Sequence, residues 1–160
     1  MEVAGARKAM RCVGVCELGN SPVIFLEDTT GFKPGVGQES GGILLEGRRF
    51  LDSIIDLRTP SLTLIIRNAF GGAYASYNSH FVGADMVFTL PMARIAVMGQ
   101  AGKEYVYKSE IRESAGAYKQ AIASGTPEQE AAKARDDVLA RLSDRYEEEL
   151  MNPKIGRAHV

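Results

Sequence analysis

The chain has 160 residues, of which 45% are hydrophobic and 24% charged, and its formal net charge is −1 at pH 7. Its length predicts one globular domain, and its near-neutral charge gives no electrostatic reason to expect nucleic acid or an anionic membrane as partner, while a local basic patch would still serve a phosphorylated ligand. The sequence has neither a secretory signal nor about 18 consecutive uncharged apolar residues, so we expect a cytoplasmic protein without a membrane span.

The first predicted elements are a helix, a strand and a long loop. Small and apolar residues at helical spacing predict a helix over 3–18. Its cysteines, Cys12 and Cys16, lie four residues apart, which is neither a redox nor a metal-binding spacing, so we interpret them as reduced thiols in the core. A continuous apolar run over 23–26 is typical of a strand buried on both faces. The glycine-rich stretch over 29–42 predicts a functional loop.

Helical periodicity returns over 43–57, and a second buried strand is predicted over 62–66. The expected core residues of that helix are Leu44, Phe50, Leu51, Ile54 and Ile55. The later predicted elements are a helix over 73–82, short strands over 86–90 and 94–98, a helical segment after Gly102, and a long helix over 128–150. Buried strands that alternate with helices predict an α/β fold with a largely parallel sheet.

The second strand leads into Gly71, Gly72 and Ala73, which open the next helix. Glycine lets a ligand approach the backbone closely. The first N–H groups of a helix have no partner within it and lie at the positive end of its dipole. The N–H groups of Gly72 and Ala73 therefore form a candidate oxyanion site. The alternative is that the two glycines only let the helix pack tightly on the sheet.

A second candidate lies at the end of the first strand, where Asp28 precedes Gly31 and Phe32. Ligands of open α/β sheets bind at the carboxyl ends of strands, so both glycine-bearing turns are expected to face one crevice. We interpret Asp28 as a carboxylate that caps the loop rather than as a general base, and His80 as a packed or surface histidine. Since no motif for a phosphate-binding lysine, a nucleophilic serine or paired histidines occurs, we expect catalysis through backbone electrostatics, with the proton acceptor supplied by a substrate or cofactor.

Seven short motifs follow one another along the chain. They are VIFLEDTTGF (23–32), GVGQE (35–39), LIIRNAFGGAY (64–74), GAD (83–85), IAVMG (95–99), YEEE (146–149) and NP (152–153). In this order they resemble the carboxyltransferase β-subunits of biotin-dependent acyl-CoA carboxylases, of the acetyl-, propionyl- and methylcrotonyl-CoA carboxylase type. The resemblance covers nearly the whole chain.

The resemblance implies a crotonase-like (ClpP/crotonase) α/β spiral of ββα units, here a single truncated domain over 1–153. It corresponds to the C-terminal half of a subunit, which faces carboxybiotin, while the N-terminal half of a partner subunit binds acyl-CoA. Gly72 and Ala73 are implied as the catalytic pair, with their N–H groups on the ureido oxygen of biotin while a carboxyl group moves between biotin and the α-carbon of an acyl-CoA. The residues implied in binding biotin or substrate are Gly31, Phe32, Gly71, Tyr74 and Ala75. No metal is expected in this domain, and the small Ala75 favours a longer or branched acyl chain.

The implied partners are a biotin carboxyl carrier protein, a biotin carboxylase subunit and the N-terminal carboxyltransferase half, with a homo-oligomer in the full-length form. The chain alone is expected to be inactive. A biotin-dependent acyl-CoA decarboxylase, which runs the transfer in reverse, uses the same half-site and is not distinguished by the sequence. A stand-alone crotonase-type hydratase or thioesterase would need flanking acid and base carboxylates, which we do not find. The remaining alternative is a non-catalytic assembly module.

Three features depart from the family pattern. Thr30 stands in place of a proline in the first loop, and Glu46 stands in place of a histidine on the following helix, which changes the charge near the mouth of the site. The tail over 154–160 has no counterpart in the family, and its last six residues match a translated sequencing adapter. We therefore predict that residues 155–160, together with Lys154, are not native, in which case His159 has no functional role. The alternative is a genuine divergent tail.

Overall fold

The computed structural model describes residues 1–153, so the predicted non-native tail over 154–160 lies outside the described residues and stays a prediction. The helices are α1 (Val3–Leu18), α2 (Val36–Ser40), α3 (Ile43–Ile55), α4 (Gly71–Ser76), α5 (Lys103–Val106), α6 (Lys108–Ala123) and α7 (Glu128–Leu150), with 3-10 turns at His80–Val82 and Gln100–Gly102. The strands are β1 (Val23–Thr29), β2 (Ser61–Phe70), β3 (Met86–Thr89) and β4 (Arg94–Ala96). The chain divides into two compact units, one over Met1–Val97 and one that begins at Met98.

The first unit is built on a sheet whose four strands all pair in parallel. β2 is the central strand: it pairs with β1 on one side, and on the other its first half pairs with β3 and its last three residues with β4. This second partner explains why β2 continues to Phe70, beyond the end that the sequence predicts, because Asn68 lies opposite Arg94 and Phe70 opposite Ala96. The predicted α/β fold with a parallel sheet is confirmed.

The core of the first unit lies between one face of the sheet and helices α1 and α3. Val13, Phe25, Phe50 and Ile54 form a buried cluster. The ring of Tyr77 meets that of Phe50 edge to face, with the ring centroids 5.5 Å apart. Apolar side chains from two helices thus pack against the inward face of β1.

Several residues that the sequence predicts to be in the core lie at the surface. Leu44 and Ile55 of α3 are exposed and Leu51 is half-buried, because these positions turn away from the stripe that carries Phe50. On α1, Cys12 is exposed and Cys16 half-buried, and both are free thiols. The prediction that both cysteines lie in the core is therefore wrong.

The opposite face of the sheet is apolar and open to solvent. The prediction that β1 is buried on both faces is wrong, because its side chains alternate and Ile24 and Leu26 are 66% and 62% exposed. The strand register continues this face across the sheet. We call it the apolar sheet face; it consists of Ile24, Leu26, Leu62, Leu64, Met86 and Phe88.

Two predicted elements are interrupted in the structure. The predicted loop over 29–42 contains the short helix α2, and the predicted helix over 73–82 is broken. α4 ends at Ser76, and Asn78 adopts a φ of 60° in the left-handed region. A residue in that conformation cannot continue a right-handed helix, so the chain resumes as a 3-10 turn at His80–Val82.

The second unit consists of helices, and its long helix α7 spans the residues that the sequence predicts, 128–150. The hydroxyl of Tyr146 on α7 donates a hydrogen bond to the carbonyl of Met98 at 3.0 Å, and its ring lies edge to face with that of Tyr107. Lys103 Nζ donates to Ser143 Oγ at 2.6 Å. Within residues 1–153, no helix is long and apolar enough to cross a membrane.

Candidate functional site

The two glycine-bearing turns meet at the carboxyl ends of β1 and β2. The register places Thr29, the last residue of β1, opposite Ala69 of β2. A Cβ built at Gly31 would lie 3.9 Å from the carbonyl oxygen of Phe70, and Gly31 has a φ of 120°, which favours glycine. The loop that follows β1 therefore reaches the start of α4, and the predicted juxtaposition of the two turns is present.

The ring of Phe32 fills the space between α3 and α4. A Cβ built at Gly47 of α3 would lie 2.7 Å from Phe32 Cζ, and one built at Gly72 of α4 would lie 3.2 Å from Phe32 Cε2. Both helices thus approach the ring through a glycine. Gly47 is not predicted from the sequence; its one signal is that a glycine inside a helical pattern is less stable there than alanine.

Helix α4 begins directly where β2 ends. Gly71 has a φ of 62°, and a Cβ there would lie 3.2 Å from the carbonyl oxygen of Val97. Gly72 is exposed and Ala73 fully buried. The first N–H groups of a helix have no acceptor within it, and among the residues that the structure describes no hydrogen bond outside the helices and strands uses the N–H of Gly72 or Ala73. Two such donors side by side can hold an oxygen that gains negative charge.

Glu27 is a buried acid beside this site that is not among the residues predicted from the sequence. Its side chain points to the inward face of β1, is fully buried, and has no hydrogen-bond partner for either oxygen among the described residues. Burial raises the pKa of Glu27 to about 8, because a carboxylate loses its hydration there. The pKa values of Tyr74 and Tyr77 are raised by their own burial and then by the charge of Glu27. The sequence feature that could have predicted this buried acid is the position of Glu27 in an apolar strand, at alternate spacing with the inward-facing residues.

Asp28 and His80 lie at the surface. Asp28 accepts hydrogen bonds from Arg67 Nη2 at 2.9 Å and from the backbone N–H of Asn68 at 3.1 Å, and the Arg67 hydrogen bond lowers its pKa. Its carboxylate therefore caps backbone, as predicted, but on the neighbouring strand rather than in its own loop. His80 is exposed, and its ring centroid lies 6.4 Å from that of Phe81.

The other predicted site residues are on α4 and α3. Tyr74 and Ala75 are half-buried on α4. Glu46 of α3 is only 4% exposed, and its Oε1 accepts hydrogen bonds from Arg7 Nη2 at 3.0 Å and Arg49 Nη1 at 3.1 Å. The negative charge expected near the mouth of the site is therefore paired. Within residues 1–153, no group of three or more His, Cys, Asp or Glu side chains is placed to hold a metal ion.

The sequence is similar to proteins that transfer carboxyl groups. The family described as "Carboxyl transferase domain" matches residues 2–158. The propionyl-CoA carboxylase beta chain of Saccharopolyspora erythraea is 35% identical over 157 residues, which are 98% of this chain and 26% of that protein. The methylmalonyl-CoA decarboxylase subunit alpha of Propionigenium modestum is 36% identical over 115 residues, which are 71% of this chain and 22% of that protein.

Solved structures share the fold. A transcarboxylase 12S structure, determined as a hexamer assembly with methylmalonyl-coenzyme A and methylmalonic acid bound, matches 99% of this chain and 27% of its own with a TM-score of 0.81 and 29% identity. The beta subunit of geranyl-CoA carboxylase from P. aeruginosa matches 91% of this chain and 26% of its own, with a TM-score of 0.64 and 24% identity. The crotonase-like fold is confirmed. The chain spans about a quarter of the length of these relatives.

Proposed function

The chain belongs to the carboxyl transferase domain family, and from that membership we propose that it forms the carboxybiotin-facing half of an acyl-CoA carboxyltransferase. The observation that carries the proposal is the start of α4, which is exposed at Gly72 and buried at Ala73. The N–H groups of these two residues have no acceptor in the helix and lie beside the loop that holds Gly31 and Phe32. The acyl-CoA partner follows from the names of the relatives, and its binding half would be supplied by another part of the full-length subunit or its partner.

The residues at the start of α4 fit a flat uncharged ring that presents an acceptor oxygen. Gly72 is exposed and has no side chain, so a ligand can approach its N–H closely. Phe32 offers an aromatic wall, and Gly71 fixes the direction of α4 through a backbone that favours glycine. Carboxybiotin, when bound, would supply the carboxyl group and the nitrogen base, with the carboxyl C–N bond breaking, a C–C bond forming at the acyl α-carbon, and the α-proton passing to that nitrogen.

The role of this chain is therefore to bind and to stabilise charge. Gly72 and Ala73 would donate two backbone hydrogen bonds to the ligand oxygen as it becomes negative, which needs no reorganisation because α4 fixes the donors in advance. Gly31, Tyr74 and Ala75 would line the remainder of the site. Carboxylation and decarboxylation of an acyl-CoA require the same donors, and relatives of both kinds match this chain. A biotin carboxyl carrier protein and a biotin carboxylase would be the partners for carboxylation.

Gly72→Pro in the full-length subunit tests this role, because proline removes one N–H and is tolerated in the first turn of a helix. We expect carboxyl transfer to fall about 100-fold or more. A Cβ at Gly72 would also lie 3.2 Å from Phe32 Cε2, so Gly72→Ala, which adds the Cβ and keeps the N–H, is measured beside Gly72→Pro and should lose less activity. Gly5→Pro is the matched control, since Gly5 lies in the first turn of α1 with open space around it. Thermal unfolding of all these variants establishes that they fold. Transfer at the unsubstituted rate by folded Gly72→Pro would overturn the proposal.

A further inference from the structure

Arginine side chains from two helices converge on one cleft of the first unit. The cleft has a volume of about 330 Å³ and is lined by Arg7, Met10 and Arg11 of α1 and by Glu46 and Arg49 of α3. We call it the arginine cleft. Its lining includes neither Gly72 nor Ala73 at the start of α4, and the proposed carboxyl transfer does not use it.

The charges in the arginine cleft do not balance. Arg7 and Arg49 both donate to the same oxygen of Glu46, at 3.0 and 3.1 Å. Arg11 forms no ion pair with any other described residue. Three guanidinium groups therefore face one carboxylate, which leaves an excess of two positive charges.

The same contacts orient the guanidinium groups. A guanidinium has five N–H donors in a rigid fork, so one hydrogen bond to Glu46 leaves donors of Arg7 and Arg49 free to bind a ligand. The side chain of Glu46 is only 4% exposed, so its carboxylate has little freedom to move and orients both arginine side chains. Met10, on α1 with Arg7 and Arg11, adds an apolar surface that an organic group can cover.

We propose that the arginine cleft binds a phosphate group. Arginine forks match phosphate oxygens in bidentate geometry, and the excess of two positive charges matches a phosphate monoester or a diphosphate better than a single carboxylate. Two sources carry this chemistry: the phosphates of coenzyme A, and free inorganic phosphate or pyrophosphate. The choice of coenzyme A as one source rests on the proposed function; the binding of phosphate does not.

Isothermal titration of the chain with pyrophosphate, coenzyme A and pantetheine, which lacks phosphate, tests the proposal. We expect pyrophosphate or coenzyme A to bind, pantetheine not to bind, and binding to weaken as salt is added. Arg11→Gln should weaken binding about tenfold or more, the usual effect of losing one charged hydrogen bond. Tighter binding of coenzyme A than of pyrophosphate identifies the coenzyme as the source, and the reverse order identifies free phosphate.

Arg48→Gln is the matched control, because Arg48 lies on α3, pairs with Asp52 at 2.7 Å and does not line the arginine cleft. Its affinity should stay within about twofold of the unsubstituted chain. No measurable binding, or equal losses in the two variants, would overturn the proposal. Gly72→Pro should bind phosphate normally, so a failure of the proposed carboxyl transfer and a failure of this inference give different results.

Discussion

Phe32 and Gly47 lie so close that a side chain at Gly47 would begin 2.7 Å from Phe32 Cζ. The Cε2 and Cδ2 atoms of the same ring face Gly72. Any group added at Gly47 must therefore push the ring toward the start of α4. Position 47 lies on a different helix from the proposed oxyanion donors, yet it controls the space beside one of them.

We predict that Gly47→Ala gives no gain in stability and lowers carboxyl transfer in the full-length subunit. Alanine ordinarily stabilises a helix interior by about 1 kcal/mol relative to glycine, but here that gain is offset by displacement of Phe32. Gly14→Ala on α1 is the matched control, because no atom lies within 4 Å of a Cβ built there. Urea unfolding should show the gain for Gly14→Ala only. Equal gains in the two variants would refute the steric role of Gly47.

Gly71→Ala should destabilise the first unit by about 1–3 kcal/mol, because a φ of 62° strains an L-residue and the new Cβ would meet the carbonyl of Val97. Gly71→Asn should cost less if backbone strain dominates, since asparagine tolerates this conformation better than alanine. Chemical denaturation measures both losses. Gly37→Ala, in open space on α2, is the control and should not lower the free energy of unfolding.

Glu27 should make stability fall as the pH rises. The folded-state pKa is raised to about 8 from a reference of 4.5, so the folded chain holds the proton more tightly than the unfolded chain. The contribution of this proton to the free energy of unfolding is fully present below the unfolded pKa and is lost progressively as the pH approaches 8. The loss is about 2–3 kcal/mol between pH 5 and pH 7. Glu27→Gln removes the titration, so its unfolding free energy should vary less with pH. If the free energy of unfolding varied with pH equally in the two proteins, Glu27 would not be the group that titrates.

Ala75 should set the acyl-chain range of the full-length subunit. The small side chain is expected to leave room for propionyl-CoA beside acetyl-CoA, so Ala75→Leu should lower kcat/KM for propionyl-CoA more than for acetyl-CoA. Filling a pocket with one or more methylene groups typically changes discrimination by about 10-fold or more. Steady-state kinetics with both substrates measure the ratio. An unsubstituted enzyme restricted to acetyl-CoA would exclude this role.

The apolar sheet face should make the chain, studied by itself, self-associate. Leu26 and Phe88 lie in one cross-strand row of that face, on either side of Leu64, and are 62% and 50% exposed. Contiguous apolar patches of this kind favour association. Leu26→Thr with Phe88→Thr should lower the weight-average mass in sedimentation velocity and reduce binding of a hydrophobic dye. Leu18→Thr, at an exposed end of α1, is the control and should change neither. An unchanged mass distribution in the double variant would rule out association through this face.

The sequence predicts the parallel sheet, most of the helices and the meeting of the two glycine-bearing turns, because local periodicity and strand order determine them. It does not predict which face of β1 is covered, since a continuous apolar run looks the same whether one or two layers pack on it. Ile24 and Leu26 show this difference. Hydrophobic periodicity also does not predict the end of α4 at Ser76, because that break depends on the left-handed conformation of Asn78.

The candidate site was predictable where it depends on backbone at a strand end, and not where it depends on contacts between distant residues. Gly47 meets Phe32, 15 positions earlier in the sequence, and no local pattern reports that contact. The pairing of Glu46 with Arg7 joins residues 39 positions apart. The burial of Glu27 likewise depends on the tertiary packing over β1. Its position on the strand predicts which way the side chain points, but not that its pKa is raised.

The hydrogen bond from Tyr146 to Met98 joins residues 48 positions apart, at the two ends of the second unit. A contact between such distant positions closes only after the chain between them has been made. During translation the first unit can complete its sheet while the second still lacks its closing residue, since domains form as their last segments leave the ribosome. Ribosome-bound chains of increasing length should therefore gain protection from protease in two steps, the second appearing only once Tyr146 has left the exit tunnel.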